Sequence, residues 1–255
     1  MNRIIVIILT VIMLLAGSFF AEAQKSQLYY IHNYSADPAK TVELEAFIKD
    51  FMATLKKYSF PFPIQAYSTM DFQYYFFAPI ENYADIDRIK KTLGDIGQKM
   101  GADNFQKLIA RRNAAIQHHE YFVIRYLPEL SWTPPKPRYK PEEALFRHWV
   151  FCYPRLDKES EMRAIFSKFV DLYKKTNSPF QEDVYTVEIG SDLPLFIGEE
   201  RGKNLFEFYS SLEEGFKIIG EEGRNLWWKE SMTLLRKIER RDGTYRPELS
   251  YIPDK

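Results

Sequence analysis

Phe47-Ile48…Phe51-Met52…Leu55-Lys56-Lys57…Pro61-Phe62…Tyr67 returns 118 positions later as Ile165-Phe166…Phe169-Val170…Tyr173-Lys174-Lys175…Pro179-Phe180…Tyr185. Each copy then closes on one phrase, Tyr126-Leu-Pro128-Glu129-Leu130-Ser131-Trp132-Thr-Pro134 and Tyr245-Arg-Pro247-Glu248-Leu249-Ser250-Tyr251-Ile-Pro253. A unit written twice constrains the architecture, because the fold must work twice and must bring two similar units together. Leu44, Phe47, Ile48, Phe51, Met52 and Leu55 recur at the spacing of one helical face, and Met162, Ile165, Phe166, Phe169, Val170 and Tyr173 repeat it.

Around that helix the first copy reads as alternating short elements. Leu28 to Tyr34 is rich in β-formers. Pro61-Phe62-Pro63 ends the helix, and Ile64–Thr69 and Phe72–Ala78 form a hairpin about Met70-Asp71. A second helical stretch, broken at Gly101, carries Ile86, Ile89, Leu93 and Ile96, then Phe105, Leu108, Ile109 and Ile116; Glu120–Leu127 is a last strand. The order is β-α-β-β-α-β. In the second copy, eleven extra residues before the second helix, including Gly198 to Lys203, predict a longer hairpin. Arg111-Arg112 and Arg240-Arg241, 129 positions apart, read as cations in a last helical turn. The offset falls to 119 at the closing phrase, which predicts a last strand ten residues shorter.

The expected domains are a signal peptide over 1–23, repeats over 24–132 and 144–255, and a Pro-rich linker over 133–143. Four prolines between Thr133 and Pro141 favour an extended connector. The β-α-β-β-α-β order, the broken second helix and the tandem duplication resemble the dimeric α+β barrel superfamily, which includes antibiotic-biosynthesis-monooxygenase-like and NIPSNAP-like proteins. The resemblance implies an α+β fold of two ferredoxin-like units forming a pseudo-dimeric barrel. Members range from oxygenases acting on aromatic or haem substrates to proteins with no known chemistry, so the fold does not carry an activity.

The amino terminus reads as an export signal, and the chain is expected outside the cytoplasm. Arg3, the apolar run Ile4–Leu15 and the small-x-small site Ala21-Glu22-Ala23 make a cleavable leader. Gly17 and Ser18 cut the apolar run short of a membrane span. Ser18 stands where a bacterial lipoprotein box needs cysteine, so the mature protein is expected to be soluble and periplasmic or extracellular. Cys152 is the single cysteine, which rules out an internal disulfide, and its apolar run reads as a packed small residue. Lys plus Arg and Asp plus Glu both number 35, a balance that excludes a nucleic-acid footprint.

No nucleophile elbow, phosphate loop, paired-cysteine motif or His-Glu-x-x-His stands in the chain. No metal site is expected, since adjacent His118 and His119 cannot share an ion. Asn33-Tyr34-Ser35 matches a glycosylation sequon, but strand placement and a bacterial leader argue against its use. Trp227-Trp228 sits in a helix, with one indole expected in the core. Strand alternation puts Tyr30, His32 and Tyr34 on one side of the first strand, and His148, Val150 and Cys152 on the matching side of its counterpart. If that side faces the barrel interior, Tyr30, His32, Tyr34 and His148 line a single inter-domain cavity for a small apolar or aromatic ligand. The leading expectation is therefore non-catalytic ligand binding, with no cofactor and with homo-oligomers allowed. The alternatives are a monooxygenase-like or haem-linked oxygenase and a purely structural envelope protein.

Overall fold

A computed structural model describes residues 25–190 and 192–253. The expected leader lies outside the described residues. Eight strands, β1 (Leu28–Ala36), β2 (Gln65–Thr69), β3 (Gln73–Ile80), β4 (Ile116–Tyr126), β5 (Phe146–Pro154), β6 (Glu182–Ile189), β7 (Phe196–Gly202) and β8 (Leu235–Tyr245), close into a barrel in the order β1-β3-β2-β8-β5-β7-β6-β4. Every pairing is antiparallel. Within each half the order is last strand, first, third, second; β2–β8 and β4–β6 join the halves.

Five helices cover the barrel: α1 (Thr41–Lys57), α2 (Ala84–Met100), α3 (Ala102–Ala115), α4 (Glu159–Thr176) and α5 (Leu205–Asn225). The duplicated stripes are their buried faces. Leu44, Phe47, Ile48 and Met52 of α1 match Met162, Ile165, Phe166 and Val170 of α4, while buried Leu55 and Phe169 match half-buried Tyr173 and Phe51. Gly101 separates α2 from α3 at φ 84°, and Gly220, 119 positions on, kinks α5 at φ 63°. Both sit in the left-handed region that favours glycine. A π-helical turn, Leu226–Ser231, follows α5.

The repeated closing phrase joins the halves reciprocally. The Ser131 hydroxyl accepts from Val184 N–H at 2.8 Å, and that of Ser250 accepts from Ala66 N–H at 2.9 Å. Trp132 Nε1 donates to Ser178 O at 2.9 Å, and the Tyr251 hydroxyl to Phe60 O at 2.7 Å. Each half thus ends by fastening the second strand of the other, so the sheet has no open edge.

The second half has the longer hairpin expected, built from an eight-residue β6, where β2 has five, and a longer connection, with Gly198–Gly202 inside β7. Two expectations are corrected. The last strands are equal, at 11 residues each. Arg240 and Arg241 lie in β8, whereas Arg111 and Arg112 lie in α3, so the two Arg-Arg pairs are not equivalent. The strand registers give the true offset of 119, which pairs Arg240 with Tyr121.

Candidate functional site

Both faces of the sheet are covered, so β1 is apolar on both sides. Ile31, Tyr67, Tyr75, Ile124, Trp149, Phe151 and Tyr185 point inward and fill the barrel. The void among them is about 20 Å³, room for about one water and far too small for an aromatic molecule. At one end Glu199 pairs with Arg147 (3.1 Å) and Arg201 (3.2 Å), while Arg201 also holds Asp183. The expected inter-domain ligand cavity inside the barrel is therefore not formed, because aromatic side chains of both halves occupy it.

The cavities lie on the other side of the sheet, one beneath the helices of each half. The first, of about 230 Å³, takes Tyr30, His32 and Tyr34 from β1 and Tyr121 from β4, roofed by Phe47, Phe51 and Leu93. The second, of about 320 Å³, takes His148, Val150 and Cys152 from β5, roofed by Phe169, Phe216 and Trp227. Tyr30, His32 and Tyr34 thus share a cavity, and His148 lines the other. The parity argument was sound, but the shared side faces the helices, and the two sets never meet.

In the first cavity His32 stacks on Tyr121 (centroids 3.9 Å) and its Nε2 lies 3.3 Å from His119 Nδ1. Burial, reinforced by His119 and Arg112, lowers His32 to about 3, so the ring stays neutral. Burial raises the Tyr34 hydroxyl to about 12. This cavity is aromatic, with Lys90 and Arg112 as its cations and no carboxylate among its described lining residues.

The second differs at matching positions. By strand register His148 stands where the first half has Tyr30, Val150 for His32, Cys152 for Tyr34, Gly198 for Phe76, Glu200 for Ala78 and Arg240 for Tyr121. Glu182 takes the place of Ile64, 118 positions earlier. Rings have been removed and ionisable groups introduced. Glu182 and Glu200 face each other across β6 and β7. Both are half-buried and line the second cavity. Burial pushes Glu182 up to about 7, against the Tyr173 hydroxyl bonded to it; burial, with Glu182 opposite, pushes Glu200 to about 8. Burial and the facing carboxyl thus favour protonation of the pair well above the ordinary carboxylate range. Nearby, His148 Nδ1 lies 2.7 Å from Asp242, whose other oxygen accepts from the Tyr209 hydroxyl at 2.8 Å. Burial raises the Cys152 thiol to about 12, which makes it inert as a nucleophile and confirms the packed reading.

Chemically, an apolar chamber with such a carboxyl pair can hold an aromatic body and bind, donate to or accept from one polar group. His148 and Cys152 are the haem-type donors in its lining; the Cys152 thiol is held protonated by burial, and His148 Nδ1 is engaged by Asp242. Among the described residues no three His, Cys, Asp or Glu side chains are placed to hold a metal ion. No described helix is long and apolar enough to cross a membrane.

The sequence reading missed Glu182, Glu200, Tyr173, Tyr209, Arg240 and Asp242. The register, not the motif content, was the signal that could have found them.

No protein-family model matches the chain, and no curated protein matches it by sequence. Solved structures do match. An anthrone oxidase-like protein superposes with a TM-score of 0.58 at 9% identity, covering 89% of this chain and 94% of its own. A candidate monooxygenase from Lactobacillus acidophilus gives 0.52 at 7%, covering 91% and 100%. Chlorite dismutase from Candidatus Nitrospira defluvii in complex with imidazole gives 0.52 at 10%, covering 91% and 95%. At such identities the likeness establishes the fold alone, and that fold is the ferredoxin-like dimeric α+β barrel.

Proposed function

We propose that this chain is an exported protein that binds a small, largely apolar or aromatic molecule in the chamber between the second-half sheet and its helices. In this reading the two halves are tandem ferredoxin-like repeats, 24–132 and 144–255, joined by the 133–143 linker. The second half has diverged into the binding half. The observation that carries the proposal is the chamber of about 320 Å³, which opens where the first half places Phe76 and Tyr34 and this half places Gly198 and Cys152. Two open cavities also speak against a purely structural envelope protein.

Trp227 and Trp228 line the chamber and report on it. N-phenylnaphthylamine, a neutral aromatic dye, should brighten on titration into the protein and quench tryptophan emission. Val150→Phe, which places a ring in the chamber floor, should abolish both signals while the circular-dichroism spectrum is retained. Unchanged dye affinity in a folded Val150→Phe protein would reject this site.

A second reading is a monooxygenase-like enzyme acting on the same bound aromatic, and the raised carboxylate pair favours it, because such a pair can serve as general base at neutral pH. Its test is oxygen uptake with anthrone-type phenolic substrates, lost in Glu200→Gln. Its haem-linked form requires a Soret band in the purified protein.

A further inference from the structure

Resting on the binding reading above, we infer that the ligand of the second-half chamber carries a protonated amine, seated between Glu182 and Glu200, with its apolar body against Phe169, Phe180 and Trp227.

The argument begins with what the fold does not require. At the same two places the first half has Ile64 and Ala78, and its sheet and helices pack with no charge there. Carboxylates at 182 and 200 are therefore no part of holding the barrel together. They also differ from the other acids on the same strands. Asp183 and Glu199, on the inward face, are held by Arg201 and Arg147. Glu182 and Glu200, one position along and facing the helices, enter no ion pair among the described residues; the Tyr173 hydroxyl is the neighbour that lowers Glu182. A buried carboxylate without a cation is costly, and two directly opposite each other cost more.

The chamber supplies room for the missing partner. Gly198 has no side chain, and the space where its Cβ would stand is 3.3 Å from Glu182 Oε1. The one cation among the described lining residues, Arg240, is an exposed side chain whose field falls on Cys152 and Tyr209, not on either glutamate. The remaining ionisable neighbours are Tyr173 from α4, Tyr209 from α5, His148 from β5, Asp242 from β8 and Asp183 on the reverse face of β6. An ammonium seated between two directly facing carboxyls relieves their mutual repulsion. Aromatic walls favour a cation on an apolar scaffold further, since ring faces attract positive charge.

The test compares three probes of one shape, naphthylmethylamine, naphthylmethanol and naphthoate, by calorimetry at pH 8 on the mature full chain. The amine should bind at least about tenfold tighter than the alcohol, a gap of one decade in Kd, and naphthoate weakest of all. In Glu182→Gln and Glu200→Gln the amine preference should shrink to within about twofold, while the alcohol binds as before. Glu182→Ile/Glu200→Ala, which restores the first-half residues and removes buried charge, guards against misfolding and should show the same loss. Equal binding of amine and alcohol, or a preference that survives these substitutions, overturns the inference and leaves the binding reading standing. Failure of all three probes to bind overturns both.

Discussion

Replacing Glu182 and Glu200 by the residues of the matching first-half positions, Glu182→Ile with Glu200→Ala, should make the protein more stable and remove much of its pH dependence. Both carboxyls are raised from an ordinary 4.5, to about 7 and about 8. Each unit is worth about 1.4 kcal/mol. The two titrate as one pair against a chamber that water can enter, so about 3–5 kcal/mol is the expected size. The sign follows from proton counts. Between pH 4.5 and 8 the folded chain holds protons on this pair that the unfolded chain has released. Stability from this source is therefore greatest below pH 4.5, falls as pH rises through 7 and 8, and levels above that. Urea unfolding of wild type and double variant at pH 5 and pH 8.5 measures it. The difference between the proteins should be small at pH 5, and at pH 8.5 the variant should gain about 3–5 kcal/mol less the cost of the methylenes lost at position 200. Titration elsewhere cancels on subtraction. If the two proteins lose stability in parallel from pH 5 to 8.5, the glutamates are not buried as described.

Ser131→Ala leaves the buried Val184 N–H without its acceptor and should cost about 1–3 kcal/mol in thermal or chemical unfolding; no change in melting temperature would show that the closing phrase does not fasten the halves. Ser250→Ala, at a half-buried site, should cost about 1 kcal/mol by the same measurement. The His32 ring, lowered to about 3, should keep its neutral NMR shifts from pH 8 down to pH 5, and a midpoint near 6.5 would contradict its burial. Intact-mass measurement of the exported protein should begin at Gln24, whereas a membrane-bound chain retaining Met1 would reject the leader.

What could be read in advance depended on periodicity. The stripe Leu44–Leu55 and its copy announced two equivalent helices, and Gly101 announced a break that Gly220 repeats. Sheet orientation was hidden for a physical reason. A strand between a filled barrel and a helix layer is apolar on both faces, so Tyr29 and Ile31 look no different from Tyr30 and Tyr34. Parity grouped the right residues and assigned them to the wrong side. The acidic pair escaped because Gln181-Glu182-Asp183 and Glu199-Glu200-Arg201 look like solvated hairpin charge, and the recurring Arg-Arg dipeptide drew the alignment ten residues out of register. Hydrogen-bond register in three dimensions supplies the correspondence that composition obscures.

The reciprocal closing phrases bear on how such a chain can be cut and on how it could have become asymmetric. Fragments 25–135 and 140–253 would each carry two bare strand edges, β2 and β4 in one, β6 and β8 in the other, that match the edges of its counterpart. Co-expressed, they should reassemble, with the linker contributing only local concentration. Expressed alone, either fragment has a ready mate in its own copy, through a two-fold axis. Such a symmetric assembly must carry its glutamate pair twice or not at all. Tethering the halves lifts that constraint, so one chamber can acquire charge while the other keeps its rings.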